Sequence, residues 1–201
     1  MPLFQVLAYL SPLIVGFGVP AALSLTSAAP PKRRLVAAGG VVLGVLLLLL
    51  VASFTESPRH WLPLSVLLVS LGLLVAGLYL LAESARIPRE VCQILAGLAV
   101  CALMSTLFWA APLVRDAADR GASGEALYRR ITLSLDVNPF FVIGYSIFDV
   151  DLIHSSAFFY RLGMADFQHG TPTWGASSAG FAVAGLLCAA LAAGLRRLRT
   201  P

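Results

Sequence analysis

Charge is what this sequence has least of. Of its 201 residues only 12% are Asp, Glu, Lys or Arg, against 59% hydrophobic. That leaves too little polar surface to cover a water-soluble domain of this size. The scarcity is also uneven. No charged side chain occurs in Met1 to Pro31, Leu35 to Thr55, Trp61 to Ala82, Val91 to Val114 or Trp174 to Leu195. A helix rising ~1.5 Å per residue needs about 20 apolar residues to cross a hydrocarbon core about 30 Å thick. The pattern therefore predicts an all-α, polytopic membrane helix bundle. Its crossings are expected near residues 3–25, 35–54, 61–82, 91–114 and 174–195, within a single integral membrane domain covering 1–201.

Other absences narrow the function. Lysine occurs once, at Lys32, after two prolines and before arginine, so there is no GxxxxGK[ST] phosphate loop. No HExxH, no GxSxG and no histidine pair placed for haem between facing crossings is present. The cysteines Cys92, Cys101 and Cys188 lie inside predicted crossings without a CxxC pair, as small apolar residues do rather than disulfide or metal ligands. No crossing contains a charge that would mark an ion pathway, which argues against an ion-coupled pump. No catalytic residue, cofactor or metal is expected, and the chain does not read as an enzyme. The start lacks a basic n-region and has Pro12 and Pro20 in its apolar run, so a retained, kinked helix packed on its neighbours is expected rather than a cleaved signal.

The charges that exist lie between the apolar runs. A net charge of +4 could suit nucleic acid, but the cations sit at helix ends, so a lipid bilayer and no nucleic acid is the expected environment. Lys32, Arg33 and Arg34 follow the first run, Arg86 and Arg89 the third, and Arg196, Arg197 and Arg199 the last. The positive-inside rule then puts the first loop, the third loop and the C-terminus in the cytoplasm and the N-terminus outside. Trp61, Trp109 and Trp174 fall near outer ends, where indole rings favour the headgroup layer. The second crossing has no polar face and is expected to meet lipid on most sides. The third and fifth carry small residues, among them Gly72, Gly77, Gly180 and Gly185, and are expected to be the interior helices. The third loop, Glu83 to Glu90, alternates in charge and reads as a solvated turn, with docking of a cytoplasmic partner as the alternative; Pro88 and Glu90 suit the start of the next helix.

Residues 115–173 break the pattern. After a polar opening, Leu127, Ile131 and Leu135 recur every four residues while Arg129, Arg130, Thr132 and Ser134 face elsewhere, predicting an amphipathic helix on the membrane surface or against the bundle. Asn138 and Pro139 read as a helix cap and first helical residue. The apolar piece from Phe140 to Val150 is too short to cross, and with a second piece near Ala157 to Met164 it predicts an outer re-entrant or interfacial hairpin. Asp149, Asp151, His154, Asp166 and His169 have metal-ligand chemistry, but at unspecific spacing. A turn that must stay in water needs such residues anyway.

The run Ile87, Pro88, Arg89, Glu90, Val91, Cys92, Gln93, Ile94, Leu95, Ala96, Gly97, Leu98, then Asn138, Pro139, Phe140, then Phe159, Tyr160, Arg161 and the Trp174 that opens the last crossing, resembles the C-terminal half of export-type ABC transporter permeases. The resemblance covers about Ala82 to Arg199 and rests on apolar helices, a turn dipeptide and aromatics. It implies an outer helical hairpin between the last two crossings and a separate ATPase subunit, with Lys32, Arg33, Arg34, Arg86 and Arg89 as the candidate contacts. Six crossings and a cytoplasmic N-terminus are usual in that family, so this chain departs from it at the front. The alternative is a non-catalytic accessory subunit of a larger membrane complex. A small outer-surface enzyme using Asp149, Asp151 and His154 ranks last.

Overall fold

The structure, a computed structural model, describes residues 3–53, 58–155 and 169–198. Among them there is no strand, and the chain is an all-α membrane helix bundle. The expectations placed on Ala157 to Asp166 and on Arg199 lie outside the described residues. The described parts gather into two compact units. One takes in Met1–Cys101 and Ser178–Pro201, the other Ala102–Ser177.

In the first unit, α1 (Leu3–Leu25), α2 (Pro31–Ala52) and α3 (Trp61–Ser84) pack on one another. They are joined by α4 (Arg89–Met104) as far as Cys101 and by the last helix, α9 (Trp174–Arg197), from Ser178 on. Helices α1, α2, α3 and α9 are each long and apolar enough to cross a membrane. Helix α1 is continuous through Pro12 and Pro20, both on its buried face with Ala8, Val15 and Val19. That is where a proline's freed carbonyl can be tolerated, against protein rather than lipid. Close approach relies on missing side chains. A Cβ on Gly97 of α4 would stand 2.4 Å from the Phe17 ring of α1, and one on Gly77 of α3 would stand 2.3 Å from the Gly185 carbonyl oxygen of α9.

Two expectations about exposure divide here. Helix α2 buries only Ala38, Val42, Val45 and Leu49, as expected of a lipid-facing crossing. Helix α3 is interior, with 56% of its apolar window buried, but α9, expected to be interior too, reaches only 22%. Its small residues serve one seam: Gly185 meets Leu73 and Leu74 of α3, whereas nothing approaches within 4 Å of a Cβ built on Gly180 or Gly194.

The fourth apolar stretch is not one straight crossing. It breaks at Ser105 into α4 and α5 (Thr106–Asp119), bent by 53°, and makes a fifth span only if the pair is counted together. Helix α5 also runs past Val114, the expected end of the crossing, because Asp116 and Arg120 pair at 2.8 Å one turn apart and Gly121, at φ 79°, ends the helix. The Gly121 amide bonds to the Ala118 carbonyl and the Ala122 amide to that of Ala117, a Schellman closure in which glycine takes the left-handed position without strain.

In the second unit, α5 packs against α6 (Gly124–Asp136), capped by Ser123. The expected amphipathic face is the buried one: Leu127, Ile131 and Leu135 join Leu107, Ala111, Val114, Phe141 and Ile153 in one apolar cluster. The chain continues as a single α-turn, α7 (Pro139–Phe141), then a π-helical turn (Val142–Ile147) and a short α8 (Leu152–Ser155).

The α3–α9 seam gives a test. Gly77→Ala is expected to destabilise the chain by about 1–3 kcal/mol, since the new methyl meets backbone rather than a movable side chain. Gly180→Ala, in open space, should stay within about 0.5 kcal/mol of the parent. Both are read by denaturant titration of the purified chain in mild detergent, and equal losses would remove the seam as a source of stability.

Candidate functional site

Two polar clusters stand out, one in each unit. In the first, Glu83 near the C-terminal end of α3 accepts from Arg34 of α2 through both carboxylate oxygens, at 3.0 and 3.1 Å, and from Arg196 of α9 at 2.6 Å. The pairing is largely withdrawn from solvent, with the Arg34 and Glu83 side chains 12% and 17% exposed. It ties the first loop, the third loop and the C-terminal end of α9 to one end of the unit. At the other end Trp61 donates to Ser53 at 2.9 Å and packs on Phe4, with ring centroids 6.0 Å apart.

The ATPase-contact candidates therefore separate. Arg34 is spent on Glu83. Lys32 and Arg33 on the first turn of α2, Arg86 in the third loop and Arg89 at the start of α4 are exposed. Arg86 sits at φ 64° in a second Schellman closure: its amide reaches the Glu83 carbonyl and the Ile87 amide that of Ala82. A non-glycine residue there carries a strain of about 1–2 kcal/mol. Glu83 is the residue that sequence reasoning missed, because it reads as one of several charges in a solvated turn.

The second cluster grows from the break at Ser105. Ending α4 frees carbonyls that α5 does not take up, and side chains cover three in succession. Ser105 and Trp109 donate to the Ala102 carbonyl, each at 3.2 Å, Thr106 donates to that of Leu103, and Asn138 Nδ2 to that of Met104 at 2.9 Å. The other end of the same amide does the expected capping: Asn138 Oδ1 accepts from the Phe140 amide at 3.0 Å and the Phe141 amide at 3.4 Å. Asn138 and Pro139 are fully or nearly buried and Phe140 packs beside the core cluster.

Further along, Tyr145 donates to Asp151, and Asp151 caps α8 by accepting from the Ile153 amide at 3.1 Å. Burial, and then donation to a carboxylate, push the Tyr145 phenol above its usual range. Asp149 is exposed at φ 56°, a left-handed position that aspartate tolerates. The side chain of His154 and all of Asp166 lie outside the described residues. Among the described residues no three potential ligands gather as a metal site would require.

The returning segment at 169–174 is strapped down by side chains. The Gly170 amide donates to Thr132 at 2.9 Å, the Thr173 amide to Asp136 at 3.3 Å and the Trp174 amide to Ser146 at 2.9 Å. Gly170 lies close under α6, where a Cβ would stand 2.8 Å from the Tyr128 hydroxyl and displace it. His169 meets the Tyr145 ring edge-on at 6.2 Å. Partial burial raises the Asp136 carboxyl above its usual value, against the lowering effect of the Thr173 amide. No family model, curated protein or solved structure matches the chain.

Asn138 and Asp136 give separate tests. Asn138→Ala removes the cap and orphans the Met104 carbonyl, with an expected loss of about 2–4 kcal/mol. Asn138→Asp keeps the acceptor but not the donor, so it should also destabilise. A variant as stable as the parent would show that the Met104 bond contributes nothing. For Asp136 the folded pKa lies above the unfolded one, so its contribution is complete below the unfolded value and is lost as pH rises through the folded value. Asp136→Asn keeps an acceptor for Thr173 without a charge to desolvate. Thermal unfolding should show it at least as stable as the parent at pH 7, with the difference closing as pH falls towards the unperturbed carboxylate value.

Proposed function

We propose that the chain is a permease-like subunit of an ABC-type exporter, working with a separate ATPase subunit in a bacterial cytoplasmic membrane, with the N-terminus outside and the C-terminus cytoplasmic. The observation that carries this reading is the compact unit Ala102–Ser177, which takes in the second half of the fourth apolar stretch and runs to the first turn of the last crossing, and in which Asn138 and Pro139 open a short, turned helix. That is the arrangement the resemblance to export permeases implies. The shared end of the first loop, third loop and α9 adds to it: with Arg34 engaged by Glu83, the exposed Lys32, Arg33, Arg86 and Arg89 offer a basic surface for a soluble subunit.

A second reading, a non-catalytic accessory subunit of a larger membrane complex, is favoured by a different observation. Nothing lies within 4 Å of Cβ atoms built on Gly40 and Gly44 of α2 or on Gly180 and Gly194 of α9, so faces suited to close helix contact have no neighbour among the described residues.

The test is mild-detergent purification of the tagged chain from its host with mass spectrometry of the bound proteins. A stoichiometric ATPase is expected; other membrane subunits in its place would select the second reading. Reversing Lys32, Arg33, Arg86 and Arg89 together to glutamate should reduce ATPase recovery tenfold or more. Arg34 is left alone because a carboxylate there would confront Glu83. Unchanged recovery and transport would rule out the basic end as the docking surface.

A further inference from the structure

We propose that the face of α2 towards α3 holds one acyl chain of an anionic phospholipid, with its phosphate at Lys32. An apolar groove of about 300 Å³ runs along this face. Its floor is a helical stripe, Leu35, Gly39, Val42 and Leu46, spaced by four, three and four residues, with Val19 of α1 and Gly72 of α3 closing the sides. Gly39 leaves the space open, since nothing lies within 4 Å of a Cβ built on it, whereas Gly72 lets α2 come close to α3, a Cβ there standing 3.0 Å from Val42.

Length and charge identify the occupant. From Leu35 to Leu46 the helix rises about 16 Å. One leaflet of a hydrocarbon core about 30 Å thick is about 15 Å deep, so the groove matches a single leaflet. Continuing the stripe three residues towards the N-terminus from Leu35 reaches Lys32, the exposed cation on the same helical face. Arg33 lies next to it, also exposed. Arg34, the nearest cation to the groove in sequence, is held by Glu83 and cannot serve the headgroup. The apolar stripe thus ends in positive charge at the depth where a phosphate lies, which suits an anionic lipid better than a zwitterionic one.

The proposal is independent of any partner ATPase and is tested on the full purified chain. The chain is exchanged into detergent micelles containing either phosphatidylglycerol or phosphatidylcholine, stripped stepwise, and weighed intact by native mass spectrometry. One phosphatidylglycerol per chain should survive, retained at least tenfold better than phosphatidylcholine. Lys32→Gln should reduce that preference several-fold. Gly39→Leu, which fills the groove and changes no charge, should abolish retention of both lipids. Equal retention of the two lipids by the parent, or retention indifferent to Gly39→Leu, would overturn the proposal. So would a lipid-independent dimer that Gly39→Leu dissociates, since a second copy would then be the occupant. Should Gly39→Leu fail to fold, the contrast between the parent and Lys32→Gln, which alters one exposed side chain, still decides.

Discussion

A peptide carbonyl without a donor is costly wherever water is absent, and a helix that stops inside an apolar stretch leaves several at once. At Ser105 this chain meets that constraint with side chains alone. Ser105, Thr106 and Trp109 are local, and the hydroxyls bond back to carbonyls three residues earlier. The fourth donor comes from Asn138, 34 residues on. Because Asn138 also caps α7 through its oxygen, one buried amide fixes where the turned segment begins and satisfies the backbone that α4 left open. The segment so placed adds Phe141 and Ile153 to the apolar cluster that α5 and α6 build between them.

The first unit solves a related problem with charge. Taking a carboxylate out of water costs several kcal/mol on its own, and that cost is offset only if the partners are near and well aligned. Glu83 has two arginines from two other helices, one of them meeting both of its oxygens. Removing either partner leaves the rest of the cluster under-compensated, so the arrangement fixes which helix ends belong together. It also sorts the basic residues by role. Arg34 and Arg196 fasten helices, whereas Lys32, Arg33, Arg86 and Arg89 remain directed to solvent, to headgroups or to another chain.

The crossings were legible because charge is excluded from hydrocarbon, and the runs without charge match α1, α2, α3 and α9 closely. The buried face of α6 was legible from the spacing of Leu127, Ile131 and Leu135, and the cap from Asn138 before proline. The break was not, since neither glycine nor proline stands at Ser105, and a Ser-Thr pair in an apolar helix usually bonds back to its own carbonyls without ending it. The Glu83 cluster joins residues 49 and 113 positions apart, so no local window contains it. The exposure of α9 was misread for a different reason: small residues allow close packing but do not say on which side a neighbour stands. The strap at 169–174 escaped because its donors are backbone amides, the same in every sequence.

The two Schellman closures make a useful comparison. Both have the same pair of backbone hydrogen bonds, yet α5 ends on Gly121 and α3 on Arg86. Helix termination alone would favour glycine at both, by about 1–2 kcal/mol at Arg86. What arginine adds at that position is a fixed positive charge three residues from Glu83, on the end of the unit that already gathers Lys32, Arg33 and Arg89. Cations within a turn or two of a crossing bias its orientation. Arg86 also closes α3 just ahead of Pro88, whose carbonyl accepts from the Cys92 amide at 2.9 Å in the first turn of α4, so that α4 starts at the same end of the unit as the charge cluster.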